Sequence, residues 1–172
     1  IMAIIQGVTN KIEDEFNSMG ANLISANVMG GNTSNRKVTY AKIQQFEKEN
    51  KDVINAVLPS ASGRVMLKYS NDSVNTSVEG VLSNYIDVRD VEIEDGWFVT
   101  DINVAQNECV AVIGSYIKEK YFSNGNAIGK NIKLNGHQYK IIRTLTKKST
   151  GSEYSTDNKV FVPYTSAVTT PK

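Results

Sequence analysis

Apolar residues recur at helical spacing from the start of the chain. Ile1, Ile4, Ile5, Val8, Ile12, Phe16 and Met19 share one side, and Gln6, Asn10, Glu13, Asp14 and Asn17 take the other. The spacing predicts an amphipathic helix that closes near Gly20. The period then falls to two: Ile24, Ala26 and Val28 alternate with Ser25 and Asn27, as in a half-exposed strand. Gly30-Gly31 and the polar residues after it read as a loop. Thr39 can cap a second helix carrying Tyr40, Ile43 and Phe46. Val53 to Leu58 reads as a strand stopped by Pro59. Val65, Leu67 and Tyr69 then share a face, Asn71-Asp72 turns the chain, and Val74, Thr76, Val78 and Gly80 form the returning strand. Strand, helix, strand, strand is the order of a split βαβ lobe.

The densest signals lie between Asp95 and Lys130. Asp95-Gly96 is a turn before Trp97, the chain's only tryptophan, and Phe98. Glu108 to Gly114 is an apolar run ended by glycine, which reads as a buried strand. Ser115 to Phe122 reads as a short helix with Ile117 and Tyr121 four apart on one face. Ser123 to Asn126 stops it, and Ile128-Gly129-Lys130 leads into a strand. Asn135-Gly136 separates two strand-like runs, residues 131–134 and 137–145, and predicts a tight hairpin because both turn residues need positive φ. Lys147 to Asp157 is a polar loop. Asp157 to Tyr164 reads as a last strand, and Thr165-Ser166-Ala167 begins a last helix.

Composition narrows the chemistry. At 172 residues the chain suits one domain that could bury ~70% of its unfolded surface. A net charge of +1 gives no reason to expect nucleic acid as a partner. No apolar run approaches the ~18 residues that span a bilayer, and no signal peptide is visible. The chain opens on Ile1, as a fragment of a longer protein would. Its one cysteine, Cys109, sits in an apolar strand and reads as a small buried hydrophobe, and the one histidine, His137, reads as a surface residue after a hairpin turn.

With one residue of each kind, a Cys–His pair or a zinc-type ligand set has little to draw on. Ser115 lacks the second glycine of a hydrolase elbow. The loop at Gly30-Gly31 is not followed by Gly-Lys-Ser/Thr, and no phosphate-binding loop for ATP occurs elsewhere. Asp87, Asp90, Glu92, Glu94 and Asp95 crowd one segment, but their spacing fits a calcium loop poorly and reads as a solvated acidic edge. The expectation is a chain with no catalytic residues, no cofactor and no metal.

The order acidic turn, aromatic pair, loop, strand, short helix, glycine turn, strand resembles the extracytoplasmic core domain of MacB-type ABC transporter permeases. The matching positions are Gly96, Trp97, Phe98, Asp101, Val110 to Gly114, Phe122 and Ile128-Gly129-Lys130, with Trp97 where an Arg is common and Ala127 where a Pro is common. Residues 20–24 resemble that family's approach to its first strand. Gly80-Val81 with Tyr85 and Val88 resembles a later passage, and Asp157 to Pro163 resembles its closing strand. The likeness runs from Gly20 to Ala167 and rests on the order of its short motifs.

The resemblance implies an α+β (mixed α/β) fold: a two-lobe MacB-like core behind an N-terminal stalk helix, residues 1–20, leading from the membrane. A porter-like first lobe would take residues 21–89 and 158–172, with a smaller, sabre-like lobe, 90–157, inserted in it. Gly96, Trp97, Phe98, Asp101, Gly114, Phe122, Gly129 and Pro163 would be structural positions. The implied function is non-catalytic: coupling cytoplasmic ATP hydrolysis to export or extraction of a substrate outside the membrane. The implied partners are an ABC ATPase reached through the transmembrane part, a second permease copy and an accessory adaptor protein. The implied location is the cell membrane, with this domain on its extracytoplasmic side, in settings that include efflux and antimicrobial resistance. The alternative is an extracellular peptide- or antibiotic-binding or sensor module.

Overall fold

The strand-forming residues fall into one six-stranded sheet. The computed structural model describes residues 39–89, 98–123, 125–147 and 157–169, all within one unit that spans Val38–Lys172. The predicted stalk helix, the strand at Ile24 to Val28, the acidic positions 90–95, Gly96, Trp97 and most of the polar loop before Asp157 lie outside the described residues. In chain order the elements are α1 (Tyr40–Glu49), β1 (Ala61–Tyr69), β2 (Asp72–Val81), α2 (Tyr85–Arg89), α3 (Asp101–Ala105) and β3 (Val110–Ile113). Then come α4 (Ser115–Phe122), β4 (Asn131–Leu134), β5 (His137–Thr144), β6 (Lys159–Pro163) and α5 (Tyr164–Thr169).

The strand order is β1-β2-β6-β3-β5-β4, and β4 meets β1 again over two positions, Leu67 opposite Leu134 and Lys68 opposite Lys133. Both hairpins are antiparallel, β1 with β2 and β4 with β5. β6 runs parallel to β2 and antiparallel to β3, and β3 runs parallel to β5 with a register shift between Ala111 and Val112. β3 and β6 are central strands covered on both faces. That is why their sequences are continuous apolar runs, and why every β3 residue is buried. β4 has one face in water and alternates accordingly.

Two cores follow from the two faces. Ala111, Ile113, Val160, Val162, Ile132, Tyr139 and Ile141 meet Ile117 and Phe122 of α4 on one side. Val112 and Phe161 meet Ile43, Leu82, Tyr85, Phe98, Val104 and Tyr164 on the other. The helices thus split: α4 covers one face, and α1, α2 and α3 gather on the second.

Two expectations are corrected. Val53 to Leu58 is not a strand. The amides of Val53 and Ile54 both donate to the carbonyl of Asn50, at 3.0 and 2.9 Å, so a turn takes the donors a ladder would need. Val53 is left 87% exposed. Cys109 is not buried: β3 begins one residue later, and the thiol faces solvent while its carbonyl accepts from the Lys140 amide at 2.9 Å. His137 is exposed at the start of β5, as expected.

Candidate functional site

The second face carries the polar chemistry. Thr100 caps α3: Asn103 N–H donates to Thr100 Oγ1 at 3.3 Å, and Thr100 N–H donates back to Asn103 Oδ1 at 2.9 Å. This reciprocal box fixes a helix of only five residues. It holds Asp101 in the first turn, where a carboxylate suits the helix dipole. Ser83 Oγ donates to Asp101 Oδ1, joining α3 to the loop after β2.

Above this junction lies an open groove of about 580 Å³. Tyr40, Gln44 and Glu47 of α1 line one wall; Ser83, Asn84 and Asp101 line the other. Asn84 Oδ1 is buried there without a hydrogen-bond partner. Burial pushes the Tyr40 phenol above its ordinary range, and the Asp101 carboxylate adds to the shift.

Beneath the groove is an aromatic layer. Tyr85 stacks on Phe98 with centroids 6.1 Å apart, and both rings meet Phe161, at 5.4 and 5.7 Å. Tyr85 Oη donates to Glu79 Oε1 at 2.9 Å, and Lys159 Nζ donates to Glu79 Oε2 at 3.1 Å. Burial, with the Glu79 charge beside it, pushes the Tyr85 phenol well above its usual range. Tyr85, Glu79 and Lys159 thus tie α2, β2 and β6 together. Sequence reading missed Glu79 and Lys159 as partners. Their only signal is opposite charge at separated positions.

Among the described residues, the predicted motif positions spread over both faces rather than forming one site. Phe98, 3% exposed, and Asp101 sit at the aromatic layer and the groove. Gly114 follows β3, and its amide donates to the Lys159 carbonyl at 2.8 Å. A Cβ there would lie 2.0 Å from the Asp157 carbonyl oxygen, so only glycine fits. Pro163 is buried at the end of β6, opposite Val81. Phe122 packs on Tyr69 of the opposite core, with ring centroids 4.5 Å apart. Gly129 turns with φ +84°, and its amide donates to the Ile141 carbonyl at 2.7 Å.

Among the described residues no three His, Cys, Asp or Glu side chains gather as metal ligands, and no helix is long and apolar enough to cross a membrane. The groove offers hydrogen-bond acceptors and two carboxylates beside a phenol.

The sequence profile of the MacB-like periplasmic core domain matches residues 1–171. The "Macrolide export ATP-binding/permease protein MacB" of Chlorobium luteolum is 32% identical over 178 residues, covering 98% of this chain and 26% of that protein. The "Pyoverdine export ATP-binding/permease protein PvdT" of Pseudomonas aeruginosa is 24% identical over 176 residues, covering 97% and 25%. The solved periplasmic region of MacB from Actinobacillus actinomycetemcomitans superimposes with a TM-score of 0.68 at 22% identity, covering 91% of this chain and 71% of that one. The chain therefore spans about a quarter of the length of the curated relatives it matches.

Proposed function

Because the chain belongs to the MacB-like periplasmic core domain family, we propose that it serves as a non-catalytic extracytoplasmic domain of an ABC permease, passing on movement that ATP hydrolysis drives. The observation that carries this reading is the join between β6 and α5. Pro163 ends the strand and Tyr164 begins the helix with no loop between them. Thr165 Oγ1 donates to the Val104 carbonyl at 2.7 Å, and Ser166 Oγ donates to the Pro163 carbonyl at 2.9 Å. A Cβ on Gly80 would sit 2.6 Å from Ala167 Cβ, so the helix presses directly on β2. A displacement applied to α5 therefore enters a central strand with no compliant segment to absorb it.

In this reading a separate ATPase drives membrane helices, a second permease copy moves against this one, and an adaptor protein receives the motion. Macrolide and pyoverdine, named for the relatives, are two substrate types such a domain would serve; antimicrobial resistance is one physiological setting. Inserting Gly-Gly-Ser after Thr169 in the full permease is expected to leave ATP hydrolysis intact and abolish export. The same insertion at Ser149 is expected to be tolerated. Full export with the Thr169 insertion would refute the coupling role.

The groove favours a second reading, capture of a peptide or antibiotic. Saturable binding of a basic peptide, lost on Asp101→Asn, would support it.

A further inference from the structure

The helices that cover the second face of the sheet leave part of it bare. On β1 the outward positions are Ser62, Arg64, Met66 and Lys68, and their β2 partners are Glu79, Ser77, Asn75 and Ser73. Lys68 continues across to Lys133 of β4, and Lys133 to Gln138 of β5. One row therefore reads Ser73, Lys68, Lys133, Gln138, with Asn131 and Lys140 paired in the next. Lys68, Lys133, Gln138, Asn131 and Lys140 are all exposed.

This row contains an unusual pairing. Lys68 and Lys133 stand directly opposite each other, and like charges at that position destabilise a sheet. Neither ammonium has an ion-pair partner among the described residues. Glu79, the carboxylate at an outward β1–β2 position, lies at the covered end and is held by Lys159 and Tyr85. Asp72, at the hairpin corner, accepts from its neighbour Ser73 N–H at 2.7 Å.

The two lysines flank a shallow cavity of about 310 Å³ lined by Lys68, Ser70, Asn131, Ile132, Lys133 and Gln138. Its side chains carry two ammonium groups, a hydroxyl and two carboxamides, with no carboxylate. Ser70 lines the edge of this cavity. It is the first residue of the two-residue turn between β1 and β2 and has φ +53°. Glycine fits that position without strain, and serine does not. A positive φ there is what the tight turn requires.

We propose that this face binds a phosphate-bearing anion between Lys68 and Lys133. A dianion cancels the repulsion that the register imposes, and lysine meets phosphate as a point charge. Phosphate also has more acceptor oxygens than a carboxylate, enough for Ser70, Asn131 and Gln138 to donate as well. The phosphate could belong to a lipid headgroup or to a soluble molecule. The proposal is independent of the transport reading.

The test titrates pyrophosphate into the 172-residue chain at low salt and follows backbone amide shifts. Saturable shifts are expected at Lys68, Ser70, Lys133 and Gln138. Lys68→Gln and Lys133→Gln should each weaken binding at least ~tenfold, and Lys42→Gln on α1 should not. Pyrophosphate should also raise the melting temperature of the parent chain and not that of the double variant, whose own melting curve shows that it folds.

Sedimentation with phosphatidylglycerol vesicles, against phosphatidylcholine, separates the sources. Co-sedimentation competed by pyrophosphate assigns the site to headgroups, and pyrophosphate binding alone assigns it to a soluble phosphate. Shifts that do not saturate, or that survive both lysine substitutions, would mean an adventitious ion only and would overturn the proposal.

Discussion

Gly114→Ala isolates a steric demand from a conformational one. Gly114 has φ −70° and ψ 162°, extended backbone that alanine adopts freely. The obstacle is space. The added Cβ would lie 2.0 Å from the Asp157 carbonyl oxygen and 2.9 Å from its carbon, far inside the 3.4 Å where ordinary contact begins. Both atoms are backbone, and Asp157 is buried, so no flexible side chain can move aside. The residue after β3 must separate from the start of β6, and the 2.8 Å bond from Gly114 N–H to the Lys159 carbonyl is lost. Overpacking of this kind costs about 1–3 kcal/mol, and a buried group left unbonded about 1–3 more.

The expected loss is therefore ~2–6 kcal/mol, read as a fall of roughly 4–24 °C in Tm for a domain of this size. Gly63→Ala is the control. Nothing lies within 4 Å of its added Cβ, so it should be neutral or stabilise β1 by a few tenths of a kcal/mol, up to about 1. Urea unfolding of both variants, with unchanged m-values, gives the comparison. Equal midpoints for the two would refute the close approach of Gly114 to Asp157.

Phe98→Ala should cost about 3–5 kcal/mol, because a ring 3% exposed leaves its contacts with Tyr85 and Phe161 behind; a change under ~1 kcal/mol in urea unfolding would contradict that packing. Alkaline pH should destabilise the fold. Tyr40, Tyr85 and Tyr164 have pKa values raised above 10.0 by burial, so the unfolded chain releases these protons first. Their stability contribution is full below pH ~10 and is lost as pH rises toward the folded values. Urea midpoints should fall above pH ~10, and less steeply in Tyr85→Phe; a flat profile would count against buried phenols.

Local pattern carried much of the secondary structure. Ser115 to Phe122 is a helix with the expected bounds, and Asn135, at φ +46°, and Gly136, at +88°, make the expected turn. β1 and β2 form the predicted hairpin, although its turn is Ser70-Asn71, one residue before the expected Asn71-Asp72, and Tyr164–Thr169 is the last helix. The five-residue helices α2 and α3 are too short to show a 3.6 period. Val53 to Leu58 has strand-like residues, but the Asn50 turn takes the amides of Val53 and Ile54, a competition that composition does not reveal.

Of the candidate positions, Gly114 and Gly129 stand out in the sequence because each punctuates a local pattern, while Gly96 and Trp97 lie outside the described residues. The insertion of β6 between β2 and β3 was not legible. It rests on pairings such as Val78 with Val160 and Val112 with Phe161, far apart in sequence. The Glu79–Lys159 bridge follows from the β2–β6 pairing and the facing Lys68 and Lys133 from the β1–β4 contact, so both were hidden with the long-range topology.

The proposed coupling role requires that the unit spanning Val38–Lys172 keep its internal geometry as it moves. Spin labels at Met66 and Ile102, which are 55% and 63% exposed, report on it directly after Cys109→Ser removes the exposed native thiol. In the full permease, pulsed electron resonance should give the same Met66–Ile102 distance with and without ATP when labelled copies are diluted among unlabelled ones. The distance between Met66 labels on two copies should change. An intradomain distance that shifts with ATP, or an intercopy distance that stays fixed, would contradict rigid transmission.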